Sequence, residues 1–111
     1  MKTYTINFTI SRNSDEDNLK YASRVSFFVR DLFRMGRGWA GAPGIVVLQS
    51  ELDIAEIQST VSALISRDDF ALILDITNSP TASFCGWLVE SDSILNIIPI
   101  LSPIDEKSIM S

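Results

Sequence analysis

The stretch from Gly44 to Ile76 constrains this chain most, because it reads in one direction only: a strand, a capped helix and a second strand. Ile45-Val46-Val47-Leu48 is a short β-branched apolar run behind a glycine, which suits a buried strand. Asp53 stands where a helix N-cap is needed, with Glu56 three residues on to complete a capping box. Ile54, Ile57, Val61, Leu64 and Ile65 then recur at helical spacing, so a helix over 54–66 buries one stripe. Arg67-Asp68-Asp69 is a polar turn, and 70–76 follows as a strand with Phe70, Leu72, Leu74 and Ile76 on one face.

Upstream, the alternation in 4–10 predicts a half-buried strand, with Tyr4, Ile6, Phe8 and Ile10 toward a core and Thr3, Thr5, Asn7 and Thr9 away from it. Ser14 opens a second capping signal, its acids suited to the positive end of a helix, and the helix is expected over 15–35 with Gly36 or Gly38 ending it. Tyr21, Ala22, Val25, Phe28, Val29, Leu32 and Phe33 share the arc that should cover a sheet. Residues 36–43 hold three glycines and a proline, marking a loop or at most a short edge strand ending in a turn. Glycine-rich loops can cradle phosphate, but no Gly-Lys-Ser/Thr sequence follows and the Rossmann spacing is missing, so that signal is weak.

The order strand, helix, short strand, strand, helix, strand implies an α+β fold: a ferredoxin-like βαββαβ antiparallel sheet with two helices on one face. At 111 residues the chain is expected to form a single domain, 1–111, with the core in 1–78. Residues 79–111 form a C-terminal extension, with strand-like runs at 84–89 and 94–101 and a loose tail from Ser102. These runs have no place in a sheet already complete by Ile76. Trp87, Ile94, Ile97, Ile98 and Ile100 would leave a large apolar surface bare. Packing back on the open face of the same sheet is one solution, but Thr3, Thr5, Asn7 and Thr9 make that face rather polar. A homodimer or larger closed assembly built by exchange of these strands is the favoured one.

Several chemistries are excluded by composition. The chain has no histidine and one cysteine, Cys85, so imidazole catalysis, protease triads, the usual zinc sites and an internal disulfide are not available. Carboxylates at 15–17, at Glu51 with Asp53 and Glu56, and at Asp68-Asp69 are the candidates for magnesium, yet each already has a capping or turn role. No metal or cofactor is expected. Neither an apolar run of membrane-spanning length nor a signal peptide is present, so a cytoplasmic location is expected.

Charge is unevenly spread: residues 1–37 carry seven Lys or Arg against four Asp or Glu, and 38–111 carry two against ten. On the first helix Lys20, Arg24, Arg30 and Arg34, with Arg37 beyond them, lie on the arc opposite the core, and Phe27 and Asp31 fall among them. This arc is the candidate binding surface, for a protein partner or, through stacking and phosphate contacts, a nucleic acid. The bland alternative has Arg stems over Phe27 and Asp31 paired with Arg34, an ordinary solvated face.

Ser50-x-Leu52, Glu56-Ile57, Leu64-Ile65, Asp68-Asp69, Ile76 and Gly86-Trp87-Leu88 together resemble the SinR-like small proteins related to the CRISPR spacer-acquisition subunit. That resemblance implies a ferredoxin-like fold in a family of dimeric nucleases and structural DNA-binding subunits. It suggests a setting in bacterial or phage defence or counter-defence. The family's nucleases carry a Tyr-Asp-hydrophobic triplet near the end of the first strand, where this chain has Phe8-Thr9-Ile10. The resemblance thus implies a member without the metal-binding acid, working by binding. The rival reading is a metal-dependent nuclease using one of the other carboxylate groups.

Overall fold

The computed structural model describes residues 1–78, 82–84 and 101–103. Its elements are β1 (Lys2–Thr9), α1 (Asn18–Phe33), β2 (Arg37–Ala42), β3 (Ile45–Ser50), α2 (Ile54–Leu64), β4 (Phe70–Asp75), β5 (Ala82–Phe84) and β6 (Leu101–Pro103). The first four strands form one antiparallel sheet in the order β2-β3-β1-β4, compatible with a ferredoxin-like fold. Strands β5 and β6 pair in parallel as a separate two-stranded sheet. The rest of the C-terminal extension, including Trp87, Ile94, Ile97, Ile98 and Ile100, lies outside the described residues.

Alternation in β1 sets the layers. Tyr4, Ile6 and Phe8 are buried on one face, with Ile10 just beyond the strand, beside Val46 and Leu48 of β3. Phe28 and Leu32 of α1 and Ile57 and Val61 of α2 close over them. Phe8 and Phe28 meet edge to face at 4.8 Å, and burying a side chain of Ile57's size contributes about 1.5–3 kcal/mol. Tyr4, wholly buried, has its phenol satisfied by donating to the Leu52 carbonyl at 2.7 Å. Ser50 is the one buried polar residue among those described, and its hydroxyl donates to Met35 O and accepts from Leu52 N–H.

The α2 capping box forms as expected, with Asp53 accepting from Glu56 N–H and Glu56 from Asp53 N–H. Helix α1 begins later than Ser14 would allow. Asp17 is the N-cap, accepting from Lys20 N–H at 2.7 Å, while the Glu16 carboxylate is taken by Asn13 N–H and Arg24. The glycine-rich segment is edge strand β2 and not a loop, and its inward backbone groups pair with β3. Its hairpin turns at Pro43-Gly44, and Gly44 supplies the positive φ of 75° that a proline-initiated turn needs at its second central position.

Candidate functional site

The arc expected on α1 is divided by its own neighbours. Arg24 turns inward: its guanidinium donates to both Glu16 oxygens at 2.6 and 2.8 Å and to Ser11 O at 2.6 Å. That pairing pulls the Glu16 carboxyl down to about 2, chiefly through the Arg24 hydrogen bond; burial opposes it, and Asn13 N–H and the charges of Arg24 and Arg12 assist. Arg34 lies 3.4 Å from Asp31. Arg37, expected as a continuation of the helical arc, belongs to β2 instead. Lys20 and Arg30 remain exposed, and the Arg30 guanidinium lies 5.0 Å from the centre of the Phe27 ring.

Phe27 is the exposed aromatic of this face, 56% exposed on a charged helix, with Leu19 also exposed near its start. It stands at a cleft of about 230 Å³ between the helices, walled by Phe28 and Leu64 and rimmed by Arg24, Asp31 and Asp69. Asp69 is fixed there by accepting from Ser11 N–H and Ser66 N–H, each at 2.8 Å, and from the Ser66 hydroxyl at 3.0 Å. Burial pushes its carboxyl up, but the donors from Ser66 and Ser11 and the charge of Arg24 outweigh that and hold it below the usual range. The rim therefore carries both signs of charge.

A larger cleft of about 620 Å³ opens between the start of α1 and the β2–β3 turn, lined by Ile10, Tyr21, Val25, Pro43, Ile45 and Phe70 among others. The Tyr21 hydroxyl has no proton to donate to a ligand there, since it already donates to Ile10 O at 2.7 Å, and could only accept. The Tyr21 ring is also occupied by Arg12 and Arg24, 4.9 and 5.9 Å from its centre. Among the described residues no three His, Cys, Asp or Glu side chains converge, and no helix is long and apolar enough to cross a membrane.

The sheet face away from the helices, expected to be polar from Thr3, Thr5, Asn7 and Thr9, carries an apolar row that sequence reasoning did not place there. Phe70, Leu72 and Leu74 point there and are 60%, 44% and 45% exposed, while Ala71 and Ile73 between them pack toward the core. Trp39 and Val47, paired across β2 and β3 on the same open face, are by contrast only 5% and 4% exposed. Compared with known proteins, the chain matches no family model, no curated protein and no solved structure.

Proposed function

We propose that the protein is a non-catalytic, self-associating ferredoxin-like module that works by docking a protein partner on the outer face of α1. The sequence resemblance sets it in bacterial or phage defence or counter-defence. Support for the ferredoxin-like reading comes from the element order and from β1 lying between β3 and β4. The observation that carries the docking reading is Phe27, exposed beside a cleft and capped by Arg30. Aromatic residues, Phe included, and arginine are both enriched at the cores of protein interfaces. A polyanion fits this surface less well, because Glu16 and Asp31 already neutralise Arg24 and Arg34, and Asp31 and Asp69 face the cleft. Carboxylates that a hydrolase would need are committed to structure: Asp17 and Asp53 cap helices, Glu16 holds Arg24, and Asp69 ties two loops.

The test is retention of a partner by tagged protein purified from its native host, with cross-linking from position 27. Phe27→Ala and the double variant Arg30→Glu, Arg34→Glu should each lose the partner while the fold is kept. Equal retention by both variants would remove this surface. Steep salt-dependent retention on nucleic acid would replace the protein-docking reading, and magnesium-dependent cleavage lost on replacing Asp68 or Asp69 would replace the non-catalytic one.

A further inference from the structure

The two edges of the main sheet are treated differently by the sequence. Strand β2 has Gly38 and Gly41 within it and a register break between Trp39 and Ala42, features that twist an edge and discourage further pairing. Strand β4 carries few such features in its own residues. Its residues, Phe-Ala-Leu-Ile-Leu-Asp, include no lysine, proline or glycine, and its register with β1 is unbroken from Phe70 to Asp75.

The outward backbone groups of β4 can be identified. Ile76 N–H donates to Thr3 O at 2.8 Å, so the even-numbered residues of this strand turn toward β1. Alternation then places the N–H and C=O groups of Ala71, Ile73 and Asp75 on the outer edge. Among the described residues no strand takes them up, and the next strand, β5, pairs with β6 in the other sheet. The helix nearest β4 continues the same character: of the eleven residues of α2 only Glu56 is charged, and Ala55, Gln58, Ser59, Ser62 and Ala63 are small or neutral and exposed. The outer face of α1, with Lys20, Arg30, Asp31 and Arg34, differs sharply from it.

We infer that β4 pairs antiparallel with β4 of a second copy, joining two four-stranded sheets into one of eight strands across a two-fold axis. This rests on the self-association proposed above and names its surface. The argument for a second copy is self-complementarity. With Ile73 opposite Ile73 of the partner subunit, Leu72 meets the partner's Leu74 twice by symmetry, Phe70 meets the partner's Ile76, and Ala71 meets the partner's Asp75. No carboxylate faces another carboxylate in this register. Shifting the axis to Leu72 would set Asp69 against the partner's Asp75, which like-charge repulsion disfavours. A partner with charged anchors would find only Glu56 to pair with along α2, whereas a second α2 offers the same nearly uncharged surface.

The wall formed by β4 and α2 is about 20 Å long, from six strand residues at about 3.4 Å each, and about 20 Å deep from open face to helix. That is about 400 Å² a side, the size of a weak and transient contact, so a dissociation constant no tighter than the micromolar range is expected.

The experiment is sedimentation of the full chain at about 100 µM, well above a micromolar dissociation constant. A wild-type dimer is expected. Leu72→Lys with Leu74→Lys puts like charges opposite each other on side chains the fold leaves exposed, so dissociation should be favoured at least about tenfold with the circular dichroism unchanged. Mixing that variant with Leu72→Glu, Leu74→Glu should restore a mixed dimer. Hydrogen exchange of the wild type gives a second readout: the Ala71, Ile73 and Asp75 amides should gain protection on concentration. A monomeric wild type would overturn self-association itself. A wild-type dimer unmoved by the lysine pair, with those amides unprotected, would overturn this surface alone.

Discussion

Replacing Asp69 with alanine removes a carboxylate that ties the exit of β1 to the turn between α2 and β4. It accepts two backbone N–H groups, from Ser11 and Ser66, and the Ser66 hydroxyl. Hydrogen bonds to a charged acceptor are worth about 1.5–3 kcal/mol each. Ser66 is exposed and water can replace its share, but Ser11 is half-buried and its N–H is orphaned. The net loss should be about 2 kcal/mol, or about 8 °C in Tm for a domain of this size. The pH dependence carries the sharper signature. Because the Asp69 carboxyl is lowered in the folded state, its contribution is fully present above the ordinary value of 3.8 and is lost as pH falls through the lower folded value. Urea unfolding followed by tryptophan fluorescence should show the gap between wild type and Asp69→Ala at pH 7 narrowing toward pH 2. Asp68→Ala is the control: its side chain is exposed, and Ser11 Oγ donates to the Asp68 main-chain carbonyl, which the substitution keeps. If Asp69→Ala costs no more than Asp68→Ala, or if the gap is constant down to pH 2, the assignment of this tie is wrong.

Gly36→Ala should destabilise by about 3 kcal/mol, since a Cβ there would sit 2.0 Å from the backbone oxygen of Gln49, which no rotamer change can move. Gly38→Ala meets only the Phe33 ring and should cost less, about 1–2 kcal/mol; equal midpoints in urea for the two variants would contradict this. Glu16→Gln should raise the pH of acid unfolding: the Glu16 carboxyl, held near 2 by Arg24, stabilises the fold above its ordinary 4.5 and gives that up only as pH falls through about 2. An acid titration with the same midpoint as wild type would show the Arg24 pair to be energetically silent.

The α2 hairpin of strand, box-capped helix and strand was legible almost to the residue, because each boundary rests on local chemistry that nothing distant contradicts. The start of α1 was not, since Ser14, Asp15 and Asp17 all have capping side chains and the choice was made by Arg24 drawing Glu16 away. The alternation of β4 was plain in the sequence, but which face it showed to the helices was not. Phe70, Leu72 and Leu74 are the larger set, yet Ala71 and Ile73 go inward because the register sets them opposite Phe8 and Ile6, the core-facing residues of β1. Of the basic arc, Lys20, Arg30 and Arg34 stay on the outer face of α1, while Arg37 goes to β2 and Arg24 to Glu16. Spacing on a wheel was enough to pair Asp31 with Arg34 and to lay an arginine over Phe27, but not to show that Glu16, outside the helix, would reach Arg24.

The placement of β1 in the middle of the sheet has a consequence for synthesis. One of its two neighbours is made late: sixty-six positions separate Thr9 from Asp75, at the far ends of β1 and β4. At elongation rates of about 5–20 residues per second that gap lasts roughly 3–13 s, during which Tyr4, Ile6 and Phe8 have a sticky face and β1 has at most β3 beside it, once Ser50 is made. The β2–β3 hairpin and α2, whose contacts are local, need no such wait. It follows that the N-terminal strand is the part of the nascent chain that most needs shielding, and limited proteolysis of chains stalled before and after β4 would read the moment at which it becomes protected.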